Sequence, residues 1–127
     1  MADAVTTQIL HDGPRNAVIK FTNISDGTGE AAALKVDVST LGGAPSRVTI
    51  ERIWAHTQGM SVDILWDATT DVLAMNIPDA QAIDLNLRDI GGIPNNAGAG
   101  ITGDIMFTTV GHAAGDRYTI ILGLKKG

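Results

Sequence analysis

The stretch from Arg47 to Leu87, RVTIERIWAHTQGMSVDILWDATTDVLAMNIPDAQAIDLNL, decides the fold class. Its apolar residues fall at every second position in short runs. Val48 and Ile50 begin the pattern, Val62, Ile64 and Trp66 continue it, and Ile83, Leu85 and Leu87 alternate with Asp84, Asn86 and Arg88. Successive side chains of a strand point to opposite faces, so this spacing marks half-buried strands. Gln58-Gly59, Thr69-Thr70-Asp71 and Pro78-Asp79 interrupt the runs with residues that favour chain reversal. The short break at Gln58-Gly59 predicts a hairpin between Val48–His56 and Ser61–Trp66.

The same period extends in both directions. Ala17, Ile19 and Phe21 share one face of NAVIKFTNI, and Leu34, Val36 and Val38 share one face of LKVDV. Towards the C-terminus, Ile105, Phe107 and Thr109 form one set, and Tyr118, Ile120, Leu122 and Leu124 another. Glycine and proline clusters lie between the runs, at Asp12-Gly13-Pro14, Asp26–Gly29, Gly42–Pro45 and Gly111–Gly115. No stretch carries a sustained helical period. The expected architecture is all-β: one antiparallel β-sandwich, jelly-roll-like, over residues 1–127. An N-terminal arm (1–10) and a long glycine-rich loop (89–102) complete it. Trp66 falls on the core face, whereas Trp54 shares a mixed face with Arg52 and His56.

Composition narrows the function classes. Fourteen acidic and nine basic residues give a net charge of −5, and the basic residues are scattered except for Lys125 and Lys126. Nucleic-acid binding needs a clustered basic face, so it is not expected. The chain has no cysteine, which leaves no disulfide and no thiolate metal site. MADAVTTQIL lacks the basic and apolar regions of a signal peptide. No apolar run approaches the roughly 20 residues of a membrane helix. A soluble protein made in the cytoplasm is the expectation.

Candidate chemistry is sparse. His11, His56 and His112 stand in separate segments, without metal-ligand spacing. Ser25, Ser39, Ser46 and Ser61 lack a nucleophile-elbow context. Asp26 and Glu30 flank a glycine turn that could hold a weak cation, but an ordinary reverse turn accounts for them better. Asp63, Asp67 and Asp71 near Trp66 raise a sugar-binding or glycosidase reading against that of a solvated face. Gly91-Gly92 and Gly98–Gly100 do not join a strand to a helix, so they form no phosphate loop. No catalytic, cofactor or metal residue is assigned. Surface contact is the better prospect: Arg52, Trp54 and His56 on one strand, with Ile93, Asn95 and Asn96 in the long loop, are the predicted interface residues.

DGPRNAVIKFTNISDGTGE (12–30), KVDVSTL (35–41), VTIERIWAHTQGMSVDILWDATTD (48–71), NNAGAGITGDIMFTT (95–109) and GDRYTIILGLKKG (115–127) together span most of the chain. In these segments it resembles a family of small virion structural proteins of tailed bacteriophages, many of them marine or cyanobacterial. The resemblance implies a particle component and marks no catalytic residue. Among such components, a compact acidic β-sandwich suits a head decoration, or cement, protein. The partners then expected are the major capsid protein and further copies of the chain, as a homotrimer on the virion head surface. A tail or neck component, or an exposed carbohydrate-binding module, is the alternative.

Overall fold

A computed structural model of the chain describes residues 4–25, 27, 33–43, 48–68, 71–78, 82–93, 103–111 and 113–126. The strands are β1 (Ala4–Asp12), β2 (Asn16–Ile24), β3 (Ala33–Val36), β4 (Val48–Gln58), β5 (Ser61–Trp66), β6 (Val72–Ile77), β7 (Ala82–Asn86), β8 (Ile105–Val110) and β9 (Arg117–Lys126). Short 3-10 turns occupy Val38–Thr40 and Arg88–Ile90. One sheet has the order β1-β2-β9-β4-β7 and the other β3-β8-β5-β6. Every pairing is antiparallel. The fold is therefore an all-β sandwich, as the alternation predicts.

The inner faces hold the expected sets. Ala17, Ile19 and Phe21 from β2, Ile105 and Phe107 from β8, and Tyr118, Ile120, Leu122 and Leu124 from β9 are all buried. Val62, Ile64 and Trp66 of β5, beside β8 in the smaller sheet, are fully buried as well. An aromatic chain crosses the layers: Phe107 meets Phe21 edge-on at 5.1 Å and Tyr118 at 5.9 Å between ring centroids. Such pairs add about 0.5–1.5 kcal/mol each beyond area burial.

Three expectations need correction. β4 and β5 do not form a hairpin, because β4 pairs with β7 and β9 while β5 pairs with β6 and β8. The short break is instead a crossing between sheets. Met60 shows why, since its side chain is fully buried and draws the chain down into the core. Leu34 does not share a face with Val36. The β3–β8 register runs Leu34↔Met106 and then Val36↔Ile105, so Lys35 is an extra, bulged residue. Val36 and Val38 are buried, whereas Leu34 is 53 % exposed. Finally, the expected N-terminal arm is, from Ala4 onward, an edge strand paired along its length with β2.

Only part of the long loop is among the described residues. After β7 the Arg88–Ile90 turn closes with Gly91 and Gly92 in left-handed backbone, and Ile93 bridges to Ile50. Two hydrogen bonds make that bridge: the Ile93 amide donates to the Ile50 carbonyl at 2.8 Å, and the Ile50 amide donates to the Ile93 carbonyl at 3.0 Å.

Candidate interaction surfaces

Two outward sheet faces and one open cleft carry the features a partner could read. On the larger sheet, the outward residues of β4 include Arg52, Trp54 and His56, so the structure brings three predicted interface residues together on one face. The Arg52 guanidinium lies 4.1 Å from the Trp54 ring centroid, and its Nη2 is 3.4 Å from Asp84 Oδ1 on β7. A cation over an indole face is worth about 0.5–1 kcal/mol at an exposed site. Arg52 thus covers the ring while Asp84 holds Arg52 in place. Across the strands, Trp54 pairs with Ile121, and Ile121 with Lys20, so charged and apolar groups are mixed on this face.

The other predicted residues are elsewhere. Ile93 bridges to Ile50 and packs against the core, away from the outward residues of β4. Asn95, Asn96 and His112 lie outside the described residues.

The smaller sheet presents a different face. Register aligns Leu34 with Met106, Met106 with Leu65, and Leu65 with Leu73. These four residues form one continuous row across β3, β8, β5 and β6, pointing away from the core. The row spans three strand spacings, roughly 14 Å. Leu34 and Leu73 at its ends are each 53 % exposed, and Met106 between them is 9 % exposed. The next row is polar: Thr108, Asp63 and Asn76, with Asn76 Nδ2 donating to Asp63 Oδ1 at 2.6 Å. A sheet face that meets only water alternates to polar residues, and here one full row does not. Sequence alone missed this row, because it exists only once four separate strands are set in register.

The cleft is built by a second bulge. Between Ile50 and Arg52 the β4–β9 register slips, which leaves Glu51 without a partner on β9 and re-aims its side chain. Arg15, Asn16, Glu51, Arg88 and Lys125 line an open cleft of about 350 Å³. Asn16 Nδ2 donates to Glu51 Oε1 at 3.1 Å, and Arg88 Nε lies 3.7 Å from the same oxygen. Three cations around one carboxylate make this corner locally basic on a chain of net charge −5.

Next to it, Lys126 acts as a latch. Its side chain is 5 % exposed. The ammonium donates to Asp12, to the Gly13 carbonyl at 2.6 Å and to the Gly42 carbonyl at 2.9 Å. The Gly42 amide in turn donates to Asp12 Oδ2 at 2.9 Å. The Lys126 hydrogen bond, followed by the Gly42 amide, holds the Asp12 carboxyl below its ordinary pKa. Three segments far apart in sequence are pinned at this one point.

Among the described residues, no three His, Asp or Glu side chains converge as metal ligands would. Trp66 is fully buried, so it offers no sugar platform beside Asp63. Asp71 instead accepts the Ala68 amide at 3.2 Å and closes the β5–β6 turn. No protein-family model matches the chain, and no curated protein matches it.

Proposed function

We propose that this chain is a structural component of a tailed-phage particle, a head decoration protein. It docks on the outer shell through the outward face of β3-β8-β5-β6. The observation that carries the proposal is the row Leu34–Met106–Leu65–Leu73, an apolar stripe in register across a whole sheet face. Covering such a stripe is favourable in proportion to the apolar area removed from water. The sequence resemblance supplies the setting and names the partner class, the major capsid protein. With β1 set aside, the orders β2-β9-β4-β7 and β3-β8-β5-β6 support reading the winding as a jelly roll, an architecture used in viral capsid and lectin domains. Shell binding of this kind gains strength by repetition, since many modest contacts act together on a symmetric surface.

A cryo-electron-microscopy map of particles carrying this protein tests the proposal. The expected result is regularly spaced density on the head that fits the sandwich, with β3, β8, β5 and β6 facing the shell. Density confined to the tail or neck overturns it in favour of a tail or neck component.

A further inference from the structure

β1 forms one edge of the larger sheet, with β2 as its partner there. Its other side therefore presents a row of backbone amides and carbonyls with no strand beside it among the described residues. Natural edge strands are protected by shortness, charge, proline or a bulge. The other sheet edges show such devices. β7 is five residues long and carries Asp84, β3 is four residues long and bulged at Lys35, and β6 slips register between its pairings to Ile64 and Leu65. β1 differs. From Ala4 to Leu10 it has neither charge nor proline, and its one irregularity lies at the far end, between Ile9 and His11. Val5 and Ile9 sit opposite Asn23 and Ile19, on the side that continues the inner face, yet they are 42 % and 49 % exposed.

We propose that β1 pairs antiparallel with β1 of a second copy about a twofold axis at Thr7, joining two five-stranded sheets into one. In that register Val5 meets Ile9 of the second copy, Thr6 meets Gln8, and Thr7 meets Thr7. Apolar groups face apolar groups and hydroxyl or amide groups face their own kind, so the strand reads as its own complement. An uncharged edge suits a second copy as its occupant: each copy carries a net charge of −5, and Ala4–Leu10 adds no charged group to the contact. A twofold contact is isologous and closes on itself. The pairing implies twofold rather than threefold symmetry at this edge. It leaves the outward face of β3-β8-β5-β6 open for the shell, and it can be tested without particles.

The absence of cysteine from the sequence gives a clean test of the register. Single variants Val5→Cys, Thr7→Cys and Ile9→Cys are purified and oxidised, alone and in pairs. The expected pattern is a covalent dimer from Thr7→Cys alone and from Val5→Cys mixed with Ile9→Cys. Neither of the latter two should cross-link with itself, because equal positions there lie about four residues, roughly 13 Å, out of register. Light scattering on the unmodified chain should give twice 13.2 kDa. Thr7→Lys, which sets like charges face to face on the axis, should return it to the single mass with unchanged circular dichroism. A monomer or a trimer at the highest concentration reached overturns the proposal, as does self-cross-linking of Val5→Cys. So does a monomer whose Thr7→Lys variant loses particle binding, since that assigns the edge to a shell strand.

Discussion

Replacing both Leu34 and Leu73 with serine should separate docking from folding. Full burial of a leucine side chain is worth about 1.5–3 kcal/mol. Each of these leucines is 53 % exposed, so roughly half of that value is realised in the isolated fold and half is left for a partner to realise. Each truncation then removes about 1 kcal/mol from binding, and the pair about 2 kcal/mol, which is close to a thirty-fold rise in Kd. A similar sum, about 2 kcal/mol, is lost from folding stability. The control is Ile24→Ser: Ile24 is 47 % exposed, but it lies on the larger sheet, on a strand that does not carry the row. Its folding cost is comparable to one of the leucine changes, and its effect on docking should be nil. The assay is a co-sedimentation titration of each variant against heads stripped of the protein, with thermal melts run in parallel. Unchanged affinity of the double variant would refute the reasoning, as would an equal loss from Ile24→Ser. Either result means that the apolar row is not what the shell touches.

Two further perturbations report on the fold beneath these surfaces. Asp12 is held below its ordinary pKa by Lys126 first and by the Gly42 amide second. Its contribution to stability is therefore present above the unfolded carboxyl's value, near 3.9, and is lost as pH falls through the lower folded value. Asp12→Asn should melt below the parent at pH 7, and the two should converge in acid; parallel melting curves across that range would sink the assignment. Gly92→Ala meets two obstacles: φ is +83°, and a Cβ would lie 2.8 Å from the Ile50 carbonyl oxygen and 2.6 Å from Thr49 Cγ2. The left-handed backbone alone costs about 1–2 kcal/mol, so urea denaturation should show a loss of about 2 kcal/mol or more. Faster hydrogen exchange at the Ile50 and Ile93 amides should accompany it, and unchanged exchange there would mean that the bridge does not depend on this glycine.

Much of the sandwich was legible because period-two alternation survives wherever a strand is regular. β2, β5 and β9 each bury the residues that alternation assigns to the core. Legibility ended where registers slip. Leu34 was assigned inward because nothing in LKVDV marks Lys35 as a bulge, and that one extra residue reverses the face. The break after β4 reads as a hairpin, wrongly, because a hairpin and a sheet crossing can use equally short breaks. The discriminating signal was Met60, a large apolar residue that an exposed hairpin tip would have wasted. The grouping of Arg52, Trp54 and His56 followed from alternation, whereas Arg52's hold on Asp84 needed β7 beside β4. The apolar row was out of reach of any local pattern, since its members come from positions 34, 65, 73 and 106. The role of Lys126 was equally out of local reach, because its three acceptors lie 84 to 114 residues earlier.

The place of β9 has a consequence for how the molecule is made. β9, the last of the described strands, is the middle strand of its sheet, seated between β2 and β4. Until Arg117–Lys126 has left the ribosome, β2 and β4 each have an open edge and Phe107 lacks the Tyr118 ring. Pairings this distant in sequence close slowly, because the loop entropy is spent before the contacts repay it. The larger sheet therefore closes only once β9 has been made, and the Lys126 latch closes with it. A chain cut before β9 has no finished larger sheet, so its completeness is read out by the order of the strands themselves.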